Sequence, residues 1–172
     1  MFEEFNNQLK ELDIEVVECF KDYQPKLSID IYNLEKECAQ HSQWYSDVKL
    51  VYAKANSLLH RVQLLVKEIK AELSIDIRNH PESYDISGKL SEALIMSIVD
   101  ASEEGKTSRQ LREKAERLNT EMEGLVAGFD HRRSMLNNQV QLYLSKLSDS
   151  FKQNNVKEMT KSLEGKGSDK FP

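Results

Sequence analysis

The apolar positions of this chain fall into two long runs at alternating three- and four-residue spacing, separated by a segment containing Pro81 and Gly88. The first run is Leu34, Cys38, His41, Tyr45, Val48, Tyr52, Ala55, Leu59, Val62, Val66, Ile69 and Leu73, with His41 as its polar member. The second is Leu111, Ala115, Leu118, Met122, Leu125, Phe129, Arg132 and Leu136. A repeat averaging ~3.5 residues places each run on one seam of a helix, and such a seam requires a partner helix. The expected fold is therefore all-α: an extended antiparallel helical hairpin, coiled-coil-like.

The first seam is wider than a two-helix contact needs. Trp44, Val51, Leu58 and Leu65 each precede a seam residue by one position and add a third apolar heptad position, which predicts more than one neighbour and hence homo-oligomerisation. Beyond Leu136 the second run changes phase, with Gln139 on the seam and Val140, Tyr143, Leu144 and Leu147 taking over. A phase shift changes the buried face, so the far end of this helix is expected to meet a different partner, either the N-terminal helix or another subunit.

Shorter elements surround the two runs. Phe2, Phe5, Leu9, Leu12, Val16 and Phe20 predict an amphipathic helix over residues 2–22, interrupted by Pro25, with Ser28 or Asp30 as a cap for the next helix. That second helix should run from about residue 30 to 79, roughly 75 Å at ~1.5 Å per residue. Pro81 ends it, because the residue before a proline is pushed out of helical geometry. Ser91 then caps a short apolar helix near 91–102, Gly105 breaks it, and a third long helix starts at Thr107 or Ser108 and continues to about 148. The division expected is 1–24, an acidic N-terminal helix; 25–150, the hairpin with its short connecting helix; and 151–172, a polar mobile tail.

Charge refines this outline. The net charge of the 172 residues is −5. Residues 1–24 carry the acidic groups Glu3, Glu4, Glu11, Asp13, Glu15, Glu18 and Asp22 against Lys10 and Lys21, so they account for all of that excess. A neutral body can still present a local basic surface. Basic residues gather at His60, Arg61, Lys67, Lys70, Arg78, His80 and Lys89, leading into the chain reversal, and again at His131, Arg132 and Arg133. Arg132 interrupts an apolar seam and is expected either to pair with a carboxylate from another helix or to reach out along the packing edge, with phosphate contact as the lesser alternative. Trp44, Tyr45 and Tyr52 sit at core spacing, whereas Tyr84, in the turn, is the better candidate for stacking on a base.

The chemistry of an enzyme is hard to place on such a chain. No phosphate-binding glycine loop, nucleophile elbow or HExxH helix occurs. The two cysteines and four histidines have no metal-ligand spacing, and His41 reads as a hydrogen-bonded core residue that sets register. No cofactor is expected. With neither a signal segment nor an apolar run of membrane-spanning length, the expected location is the cytoplasm, without membrane association.

Several segments together resemble the phage UvsY-like recombination mediators: His41-Ser42 early in the long helix, KAEL at 70–73, IRNHPESYDISGKLSEALI at 77–95 and FDHRRSMLNNQVQLY at 129–143. The likeness covers roughly residues 33–147. It implies a helical protein that forms a ring-like homo-oligomer, binds single-stranded DNA and helps a RecA-type recombinase displace single-strand binding protein, in the host cytoplasm if the gene is a phage's. The family's basic contacts lie near the end of the long helix, around a K-A-R-L-like segment. Lys70, Ala71 and Leu73 fit it here, but Glu72 stands where a basic residue is expected. The resulting DNA-binding candidates are Arg61, Lys67, Lys70, Arg78, Tyr84, Lys89, Arg132 and Arg133. The rival expectation is a coiled-coil scaffold or adaptor that binds only protein.

Overall fold

A computed structural model describes residues 2–84, 86 and 88–164; within 151–164 it describes the helical backbone and, of the side chains, only that of Lys157. The described residues form four α-helices and no strand: α1 (Phe2–Tyr23), α2 (Leu34–Asn79), α3 (Glu92–Ala101) and α4 (Glu103–Glu164). Two single 3₁₀ turns, Gln24–Leu27 and Pro81–Tyr84, make the corners before α2 and after it.

Each boundary has a local cause. Pro25 occupies the start of the first 3₁₀ turn, where its missing N–H costs nothing. Neither Ser28 nor Asp30 caps α2, contrary to expectation. The Ser28 hydroxyl donates to the Pro25 carbonyl, and the Asp30 carboxylate accepts from the backbone N–H of Tyr32, so a side-chain-closed turn delays the helix to Leu34. Ser91 caps α3 as predicted, its hydroxyl accepting from the Leu94 N–H at 3.2 Å.

Gly105 does not break the chain between α3 and α4; it lies inside the first turn of α4. A Cβ at this position would stand 1.9 Å from the Val99 carbonyl oxygen, so only glycine lets the end of α3 and the start of α4 approach this closely. The Ser102 hydroxyl accepts from the Gly105 N–H at 2.9 Å, which starts α4 at Glu103 rather than at Thr107 or Ser108. At its other end α4 passes the expected stop near 148 and continues to Glu164. No glycine or proline intervenes before Gly165, and the segment is rich in good helix formers. Of the mobile tail expected over 151–172, residues 151–164 instead continue α4, and 165–172 lie outside the described residues.

The main core joins α1, α2 and α4. Leu9, Leu12, Val16 and Cys19 of α1 meet Val48, Val51, Ala55, Leu58, Val62 and Val66 of α2 and the stripe Leu111 to Phe129 of α4. Glu37 and His41 contact Arg132, Tyr45 contacts Asp130, and Lys70 contacts Asp100 just ahead of α4, so α2 and α4 meet in reverse order along their lengths. The third apolar position on α2 is explained within the chain: Val51, Leu58 and Leu65 are buried, Val51 and Leu58 in the cluster that α1 enters. Cys38 departs from its seam position and is exposed, on a part of α2 that lies beyond the end of α1. A smaller cluster of Ile77, Ile95 and Val99 closes the reversal.

Candidate nucleic-acid interface

The basic residues selected from the sequence have different surroundings. Lys70 donates to Asp100 at 2.9 Å, and Arg109 also reaches Asp100, 3.5 Å away; these cations hold the Asp100 carboxyl below the usual carboxylate range, chiefly through the Lys70 hydrogen bond. The Arg78 guanidinium donates to both carboxylate oxygens of Glu92, at 2.7 and 2.9 Å, tying α2 to the start of α3. Both side chains therefore staple the reversal. Glu72 lies exposed on the same end of α2, beside Asp76 and Glu104 around one shallow cleft, so this end of the molecule is acid-rimmed.

Tyr84 is not the exposed stacking platform expected. The Pro81–Tyr84 turn folds it back over the last turns of α2, where it is half-buried against the small cluster and its hydroxyl donates to Asp76. That hydrogen bond is the main reason its phenol is pushed above the ordinary value.

Arg132 is buried, with 2% of its surface exposed, and forms an ion pair with Glu37. Its Nη1 lies 3.0 Å from His41 Nδ1, and its guanidinium sits 5.1 Å from the Trp44 ring centroid. Because an arginine has only N–H groups to offer, His41 Nδ1 must accept and Nε2 carries the proton. Burial, and then the Arg132 charge, push the His41 pKa below its ordinary value. Arg132 thus ties α4 to α2, with its guanidinium engaged by Glu37 and His41. Arg133, its neighbour, is exposed and 3.7 Å from Asp130. Trp44, Tyr45 and Tyr52 are half-buried against the core.

Arg61, Lys67 and Lys89 keep exposed side chains, and the described residues give none of them an ion pair; Arg61 rests its guanidinium over the Phe5 ring at 5.2 Å. One of these, Lys67, belongs to a longer feature of α2, whereas Arg61 lies on the side toward α1, where Glu11 and Glu15 line the same cleft. Between Asp47 and Glu68 the chain contains no carboxylate, yet it carries Lys49, Lys54, His60, Arg61 and Lys67. At ~100° per residue, Lys49, Asn56, His60 and Lys67 fall on one side of α2, turned away from the buried Val62. Asn56, His60 and Lys67 are exposed, and Lys49 lies at the edge, its Nζ 5.4 Å from the Tyr45 ring centroid and 5.6 Å from that of Tyr52. Lys54 is engaged by Glu15 of α1. The result is a carboxylate-free outer face of α2 about 27 Å long, at ~1.5 Å per residue from Lys49 to Lys67. The signal that would have found it is the absence of acid from a helical window, rather than the density of base.

Among the described residues no three His, Cys, Asp or Glu side chains are placed to share a metal ion, and no helix is long and apolar enough to cross a membrane. Comparison of the chain with protein-family models, with curated proteins and with solved structures finds no match.

Proposed function

We propose that this protein is a non-enzymatic recombination mediator: a homo-oligomeric helical protein that binds single-stranded DNA and assists loading of a RecA-type recombinase onto strands coated with single-strand binding protein. In this reading α2 and α4 form an antiparallel, coiled-coil-like hairpin that serves as a rigid stem, with α1 laid along it. The observation that carries the DNA-binding part is the carboxylate-free outer face of α2, with Lys49, His60 and Lys67. A strand following that face would meet phosphate-binding groups without opposing charge, and Tyr45 and Tyr52 lie beside Lys49 at its edge. The resemblance of residues 33–147 to the phage mediators supplies the recombinase and the single-strand binding protein as partners. Repetition of a weak site around an oligomer would raise its avidity.

A second reading, a scaffold that binds only protein, is favoured by the engagement of Lys70, Arg78 and Arg132 with carboxylates of their own chain. Fluorescence anisotropy with a labelled single strand at several salt concentrations separates the two. The parent protein should bind at low salt and weaken linearly on a log–log plot. The double variant Lys49→Gln, Lys67→Gln should lower the magnitude of that slope by about 1.4 per chain engaged, at ~0.7 per lost phosphate contact. Binding by the parent that the double variant leaves unchanged would move the interface to Arg61, Lys89 and Arg133. No binding by the parent at low salt would leave the protein-only scaffold as the better account.

A further inference from the structure

The carboxylate-free face of α2 is matched by an acidic stripe on α1. Lys49 and Lys67 stand 18 residues apart, five whole turns at ~3.6 residues per turn, and His60 lies 7 residues before Lys67, so the three share one line. On α1, Glu4 and Asp22 are also 18 residues apart, and Glu11 lies 7 residues after Glu4. Run antiparallel, the two lines have the same spacing: Glu4 meets Lys67, Glu11 meets His60 and Asp22 meets Lys49, over about 27 Å at ~1.5 Å per residue. Glu4, Glu11 and Asp22 are exposed, and the described residues give none of them an ion pair; Glu4 accepts a long bond from Gln8, at 3.4 Å. Lys10 and Lys21 fall about a quarter turn or more from this line, so no base interrupts it. Within one chain the two stripes do not meet, since α1 lies against a different side of α2, where Lys54 engages Glu15 and Tyr23 donates to Asp47.

We infer that the outer face of α2 is a docking site for α1 of a second copy of this chain. Charge complementarity at matched spacing selects that occupant. A parallel setting would also oppose Glu4 to Lys49 and Asp22 to Lys67, but its middle pair is Glu15 with His60, and Glu15 is already held by Lys54. The antiparallel setting uses Glu11, which is free, and His60 offers it an N–H in either protonation state. Because α1 is antiparallel to its own α2 as well, the two copies stand side by side and point the same way. Glu15 lies level with Lys54 in its own chain and with Asn56 of the second copy, a displacement of about 3 Å at ~1.5 Å per residue. Glu11 also rims the cleft between α1 and α2, where Leu50 is 61% exposed, and Leu64 of the docked α2, 47% exposed, is turned toward that cleft. The contact therefore covers apolar area beside its charges. It joins two unlike faces, so it repeats from copy to copy rather than closing on a pair. The inference rests on the strand-binding reading of this face and adds its regulation: Lys49, His60 and Lys67 serve either the neighbouring α1 or a single strand. Strand binding opens this contact, and an oligomer that persists on DNA is held by other faces.

Sedimentation velocity over a dilution series at low salt tests the contact on the full chain, with circular dichroism on every variant. The parent should self-associate, and less so as salt rises, because the pairs lie at the surface. Glu4→Lys should weaken association about fivefold; adding Lys67→Glu should return it to within about twofold of the parent, and adding Lys49→Glu should not. A monomeric parent, or an associated one indifferent to Glu4→Lys, would overturn the docking site. Rescue by Lys49→Glu in place of Lys67→Glu would overturn the antiparallel setting. Anisotropy with a labelled single strand reads the regulation. Glu11→Gln with Asp22→Asn leaves the α2 face intact and should bind at least about threefold tighter than the parent where the parent is associated, with no difference at dilutions where it is monomeric. Equal binding throughout, or a difference that persists in the monomer, would overturn the competition. A parent that self-associates with the Lys67→Glu rescue and binds no strand would leave the docking site standing and overturn the strand-binding reading alone.

Discussion

The body of the molecule and the projecting end of α4 are written in the same apolar alphabet and have opposite fates. In the body, Val48, Val62, Met122 and Phe129 are fully buried because α1, α2 and α4 run side by side there. Beyond Leu136, Leu142, Tyr143, Leu144 and Leu147 have comparable spacing and hydrophobicity, yet residues 141–150 are exposed throughout. The difference lies in the neighbours: α1 is too short and α2 starts too late to cover the last part of α4. A helical stripe specifies that a partner is needed and leaves open whether the same chain provides it.

The contrast is broken most forcefully by putting the same charge into both regions. Val62→Asp places a carboxylate at a position with 0% exposure inside the apolar cluster, and should cost roughly 4 kcal/mol or more, enough to unfold a marginally stable domain; loss of the helical circular dichroism signal or of cooperative melting checks it. Leu144→Asp should leave the melting transition of the body within ~0.5 kcal/mol of the parent at concentrations where the protein is monomeric, as surface substitutions do. Equal losses at both sites would mean that the projection is packed within its own subunit.

A smaller effect is expected at the junction between the two regions, where the buried Arg132 charge is balanced by Glu37. Glu37→Gln removes that balance and leaves the guanidinium inside the protein, at a cost of about 3 kcal/mol in urea unfolding. Replacing both residues with apolar side chains of similar size, Glu37→Leu with Arg132→Met, should recover most of this loss, because no unpaired charge then remains buried.

The smallest of the three effects is a pH dependence confined to the body. His41 has its pKa lowered by burial and by Arg132 and Arg133. Between the native value and the unfolded value of about 6.5 the unfolded chain binds more protons than the native one, so stability rises with pH across that interval. The contribution is complete above about 6.5 and is lost as pH falls through the depressed native value. Chemical denaturation of the parent at pH 8 and pH 5.5 should show this slope, and His41→Gln should flatten it in that window. The acid-side slope from Asp100, whose carboxyl is lowered mainly by Lys70, lies below the ordinary aspartate range and does not overlap it.

Much of this fold was legible in the chain. Alternating three- and four-residue spacing marked the seams of α2 and α4, the hydroxyl of Ser91 marked the start of α3, and Pro25 and Pro81 marked the corners, because each acts on backbone within a few residues of itself. A carboxylate partner for Arg132 was one of the outcomes that the cost of burying a lone charge allowed, and the absence of carboxylates between Asp47 and Glu68 was there to be read. Which partner each surface met was decided only in three dimensions. Tertiary packing gave the third apolar position of α2 to α1, turned Gly105 from a helix break into a point of contact with the Val99 carbonyl, and drew Lys70, Arg78 and Tyr84 into bonds with Asp100, Glu92 and Asp76. Local pattern determines what a helix must bury and where it starts and stops, since those are short-range effects of backbone and spacing. Whether a cation is free or a stripe covered depends on side chains many residues distant in sequence, and only the packed structure brings those together.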